Sequence, residues 1–139
     1  MELQKISLMD AYMIETLRSK GVTDEELIEQ KDIEMWNRLD DSFDFYDLLR
    51  LREKDPLAFQ TIIKDGYQVK FVTINGLKNL LKLKFNRIDK IDYQTTEKGV
   101  RGLYLNMEAY NQLKKLLSKN WTVKEEEVDD KTVLHIELA

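Results

Sequence analysis

At Gly66 the spacing of apolar residues changes from helical to strand-like, which limits the chain to folds where helices precede a mixed α/β layer. Before Gly66 the helices are well punctuated. Ser7 caps a helix over 8–19, and Gly21 supplies a left-handed stop. Thr23-Asp24-Glu25-Glu26 forms a capping box opening a second helix that carries Leu27, Ile28, Met35, Trp36 and Leu39. Asp41 or Ser42 caps a third helix, with Phe45, Leu48, Leu49 and Arg52 on one side. Asp55-Pro56 starts a fourth, because proline at the first helical position gives up no hydrogen bond, and this helix presents Phe59, Ile62 and Ile63.

After Gly66, Tyr67, Val69 and Phe71 alternate with Gln68 and Lys70, as in a strand. Thr73 caps a helix over 74–85, and Asn106 caps one over 107–119. Val100 to Leu105, the segment opened by Trp121 and Val123, and Leu134-Ile136-Leu138 read as strands, while 88–97 is ambiguous. A shift of 33 residues superposes Thr73 on Asn106, Leu80 on Leu113, Val100 on Val133 and Leu103 on Ile136. The expected fold class is therefore α+β. A helical layer of about four helices over 8–65 leads into a β-α-β-β-α-β-β, ferredoxin-like antiparallel sheet with two helices over 67–139. Residues 1–66 and 67–139 are expected to fold as one unit, since each alone would have a marginal core. Chemical denaturation should give one transition, and two separated transitions would contradict this.

The chain has 139 residues and no cysteine, so a disulfide or thiolate chemistry is excluded. It lacks any run of about 18 apolar residues and any basic-then-apolar N-terminal segment, so the expectation is a cytoplasmic protein without a membrane partner. Lysines outnumber arginines 16 to 6, a bias associated with AT-rich microbial or phage genomes.

Charge is unevenly spread. Residues 1–66 hold 9 Lys/Arg against 16 Asp/Glu, residues 67–119 hold 11 against 4, and residues 120–139 hold 2 against 6. A basic middle segment can meet an anionic partner or the acidic parts of its own molecule.

Enzyme chemistry finds no foothold. The single histidine, His135, falls on the strand face opposite Leu134 and Ile136 and reads as a solvated residue. The four serines lie outside any Gly-x-Ser-x-Gly turn, and the five glycines form no phosphate-binding loop. The acidic runs at 40–44 and 125–130 lack EF-hand spacing. The expectation is no catalytic residue, no metal and no cofactor.

Two binding functions remain. The first is a non-enzymatic regulatory, adaptor or inhibitor-type module that binds another protein. Its candidate anchors are Trp36, Phe43, Phe45 and Tyr46, since aromatics dominate interface energetics. A C-terminal strand at a sheet edge would add a homodimer surface. The second is a DNA- or RNA-binding regulator. Residues 73–98 can be read as helix-turn-helix, the second helix running over 87–97, with Lys78, Lys82, Arg87, Lys90, Lys98 and Arg101 as candidate nucleic-acid contacts.

Overall fold

The computed structural model describes residues 3–139. Helices and strands are mixed along the chain, as an α+β protein requires. The order is β1 (Gln4–Ile6), α1 (Leu8–Ser19), α2 (Asp24–Glu29), α3 (Ile33–Leu39), α4 (Tyr46–Lys54), α5 (Pro56–Asp65), β2 (Tyr67–Val69), α6 (Ile74–Phe85), β3 (Gln94–Thr95), β4 (Gly99–Tyr104), α7 (Met107–Leu116), β5 (Trp121–Val128) and β6 (Lys131–Leu138).

Local capping fixes most helix starts. The hydroxyls of Ser7, Thr23 and Thr73 and the carboxyl or amide oxygens of Asp55 and Asn106 each accept a first-turn amide. Thr23 and Glu26 complete the reciprocal capping box.

The second expected helix divides in two. The Gln30 side-chain oxygen accepts the amides of both Lys31 and Asp32 at 3.0 Å, which gives the backbone an alternative to helix. The Arg52 guanidinium then secures the freed carbonyls, donating to Leu27 at 3.0 Å and Gln30 at 2.6 Å. The helix after it starts at Tyr46, four or three residues later than a cap at Asp41 or Ser42 would place it. Asn37 accepts the Phe45 amide at 3.0 Å and holds residues 40–45 as an irregular turn.

The expected single ferredoxin-like sheet is not what the strands form. β2 pairs in parallel with β1, with Gln4 opposite Tyr67 and Ile6 opposite Val69. β1 is only three residues long, too short to show a period in the sequence. The other strands make a separate antiparallel sheet in the order β3-β4-β6-β5. The C-terminal strand β6 is therefore interior, and the proposed homodimer edge is corrected: β5 and the two-residue β3 are the edges. β5 carries Lys124, Glu125, Glu126 and Glu127, charges that discourage edge-to-edge pairing.

The second helix of a helix-turn-helix is absent. Asn86 ends α6 in the left-handed region (φ 55°), and Lys90 is left-handed as well (φ 71°). The Asp92 carboxylate accepts the Ile88 amide at 2.7 Å, turning 88–92 into a tight loop that leads into β3.

α1 packs on α6, where Gly76 lets Leu8 come close; a Cβ there would lie 2.7 Å from a Leu8 methyl. Trp36, Phe45 and Phe59 from the segment before β2 share one apolar core with Leu77 of α6 and with Val100, Leu103 and Ile136 of the antiparallel sheet.

Candidate functional site

Burial separates the four aromatic candidates. Trp36 and Phe45 are 1% and 0% exposed and cannot touch a partner. They are core residues, the rings meeting edge-on at 6.5 Å, with the Arg52 guanidinium 5.8 Å from the Trp36 ring centre. Phe43 is half-buried and packs edge-on against Phe45 at 5.9 Å. Tyr46 is exposed, its hydroxyl donating to Glu34 at 2.8 Å, and that carboxylate raises the phenol's pKa.

Two of the six basic candidates are engaged within the protein. Lys78 pairs with Asp89 at 3.2 Å, and its bond together with that of Thr95 holds the Asp89 carboxyl below its usual range. Arg87 is a strut: its Nε donates to the Tyr104 carbonyl and its Nη1 to the Phe85 carbonyl, both at 3.2 Å. Lys82, Lys90, Lys98 and Arg101 are exposed on α6, the 88–92 loop, the turn before β4 and β4 itself.

The densest polar cluster was not singled out in the sequence. Glu15 of α1 is 1% exposed, and its Oε2 accepts three bonds: from Tyr67 Oη at 2.6 Å, Arg18 Nη1 at 3.0 Å and Lys84 Nζ at 3.1 Å. Arg18 also binds Asp24 and donates to the Ile63 carbonyl at 2.9 Å. The node thus ties α1, α2, α5, β2 and α6 together, beside a cleft of about 490 Å³ also lined by Lys115. Lys115 in turn donates to the Asp65 carbonyl at the end of α5. Burial raises the Tyr67 phenol well above its usual pKa, and the Glu15 charge adds to that. Burial lowers the Lys84 ammonium, with Glu15 working against the shift. Three donors converging on one buried carboxylate oxygen make Glu15 a cross-link between α1, β2 and α6.

A second feature lies where the helix-turn-helix was expected. The 86–92 loop carries Ile88 and Ile91, and Arg87 joins it to Tyr104 at the end of β4, three residues before Met107 opens α7. Ile91 is 77% and Met107 70% exposed. Lys131 sits 5.2 Å from the Tyr104 ring centre. His135, expected in solvent, is half-buried: its Nδ1 accepts the Gly102 amide at 3.2 Å in the irregular stretch of β4.

Among the described residues no group of three His, Cys, Asp or Glu side chains is placed to hold a metal ion. No protein-family model, curated protein or solved structure matches this chain.

The sequence did hold signals for both missed features. Glu15 and Arg18 fall within about 40° of Ala11 on the buried arc of α1, at about 100° per residue. Two charged residues there need internal partners. Ile91 stands between Lys90 and Asp92, and Met107 follows a capping asparagine, positions with no amphipathic stripe to bury them.

Proposed function

We propose that the protein is a non-enzymatic, cytoplasmic binding module of regulatory or adaptor type, and that it engages another protein through Ile88 and Ile91 of the 86–92 loop together with Tyr104 and Met107 at the β4–α7 junction. The carrying observation is the exposure of Ile91 in the 86–92 loop, which Arg87 ties to the end of β4, and of Met107 at the start of α7. Large apolar side chains grouped at a surface forgo burial in the free protein and recover it on docking. Arg87 fastens the 86–92 loop to the end of β4, so little loop ordering opposes association. The flanking Lys90 and the Lys131–Tyr104 pair favour a partner with an acidic rim.

Ile91→Asp with Met107→Asp tests this reading. Both side chains are largely in water, so stability should change by no more than about 0.5 kcal/mol. Affinity capture from the native host, with nuclease present, should retain a partner on the parent chain and lose it on the double variant. Equal retention by both chains, or retention that nuclease abolishes, would refute the reading.

A further inference from the structure

A groove of about 260 Å³ opens between the end of β2 and the turn after α7, and none of the proposed docking residues lines it. Its lining holds Lys5, Lys70 and Lys119, all exposed, and no carboxylate. Among the described residues none of the three forms an ion pair. Burial raises the Asp10 carboxyl, and the Lys70 charge works against that rise. The polar groups of the groove are already engaged. Gln68 Nε2 donates to the Leu117 carbonyl at 3.1 Å, and Ser118 Oγ accepts the Val72 amide at 3.0 Å. The lysines are therefore the free polar groups of the lining.

Phe71 lies in the same lining and is 61% exposed, between Lys70 in water and the fully buried Val72. The backbone on either side is fixed: the Lys70 amide donates to the Ile6 carbonyl at 2.8 Å, and the Val72 carbonyl accepts Trp121 Nε1 at 2.8 Å. Phe71 is thus presented by a rigid segment, and its ring is not taken up by the core.

We propose that this groove binds single-stranded nucleic acid, with Phe71 stacked on an unpaired base and Lys5, Lys70 and Lys119 holding the neighbouring phosphates. Lysine charge without carboxylate partners fits a polyanion, and an exposed ring among lysines fits a base next to its phosphates. A duplex hides its base faces in the stack and gives the ring nothing to cover. An acidic peptide would satisfy the lysines and leave the ring in water. The net charge of −4 repels nucleic acid at long range, so recognition is short-range and modest.

The test is fluorescence anisotropy with the full chain and labelled dT10 or U10. Saturable binding in the range of about 1–100 µM is expected at low salt, falling on a log–log plot with a slope near −0.7 for each phosphate engaged. Phe71→Ala should weaken binding about fivefold or more and leave the salt slope unchanged. Replacing Lys5, Lys70 and Lys119 together by Ala should flatten that slope by about two units. All four side chains are exposed, and an unchanged melting midpoint confirms that the variants are folded. Binding of either oligonucleotide supports the proposal, and the preferred one identifies the sugar. Absence of binding overturns it. So does equal binding of duplex or of polyglutamate, or an affinity that both variants leave unchanged. Because Ile91 and Met107 lie outside the groove, this result stands or falls separately from the protein-binding test.

Discussion

Glu15→Ala is expected to remove about 3–5 kcal/mol of stability, a large part of what a domain of this size possesses. The loss is not that of one attractive contact. The substitution leaves Arg18 and Lys84, whose side chains are 23% and 14% exposed, and the Tyr67 hydroxyl without their shared acceptor. Removing one member of a buried ionic cluster costs more than replacing the whole cluster by apolar groups of similar volume. Glu15→Leu combined with Tyr67→Phe and Lys84→Met should therefore be more stable than Glu15→Ala alone. Urea denaturation measures both. A Glu15→Ala variant within about 1 kcal/mol of the parent would show that water replaces the carboxylate at little cost.

The same node is expected to weaken stability in alkali. Burial raises the folded-state pKa of Tyr67 above its usual 10.0, so above about pH 10 the unfolded chain loses this proton first. The native state then holds more protons, and stability falls as pH rises past 10. Tyr93, pushed up to about 12 by burial beside Asp89 and Asp92, acts in the same direction between pH 10 and 12. Lys84 acts oppositely. Its folded pKa is lowered below 10.5, so its penalty is present at neutral pH and is relieved as pH approaches 10.5. In Tyr67→Phe the decline of stability above pH 10 should be shallower, which urea midpoints measured from pH 8 to 11 would resolve. An unchanged decline would place its origin elsewhere.

What could be read from the sequence was local. A capping side chain and the amide it binds lie three residues apart, so Ser7, Thr23, Thr73 and Asn106 announce their helices without help from the fold. Pairings that depend on distant chain gave no such signal. β1 has three residues and finds its partner about sixty residues later, and β2 leaves the layer its alternating pattern suggested. The break at Gln30 depends on Arg52, twenty-two residues away, accepting the duty of capping two carbonyls. The candidate sites divide along the same line. Aromatic content near 36–46 was visible, but whether each ring faces in or out is decided by tertiary packing, which buries Trp36 and Phe45 and leaves Tyr46 outside. The net positive charge of 67–119 was visible too. That Lys78 and Lys84 are paired internally, while Lys70 and Lys119 share a groove with Lys5 and Phe71, is a property of the folded chain.

Gly99→Ala should be nearly as damaging as the loss of Glu15, for a purely steric reason. Gly99 opens β4 opposite Glu137 of β6, at a φ of 156°. A Cβ there would stand 2.0 Å from the Ile136 carbonyl oxygen and 3.0 Å from both its carbonyl carbon and Trp121 Cζ3. The nearest obstacle is backbone, which no rotamer change can move aside. Either β4 separates from β6 at its start or both strands shift, and the Leu138 amide's bond to the Lys98 carbonyl, now 2.8 Å, is lost with them. Strain at φ and overpacking together are expected to cost roughly 3–5 kcal/mol. Gly102 separates the steric cause from the conformational one. It has φ 76° in the same strand, and a Cβ there would meet nothing within 4 Å. Gly102→Ala therefore carries conformational strain alone, about 1–2 kcal/mol. Urea unfolding of the two variants, followed by the fluorescence of Trp121 and Trp36, should place Gly99→Ala well below Gly102→Ala. Equal losses would mean that backbone conformation, not the approach of Ile136, makes glycine necessary at the head of β4.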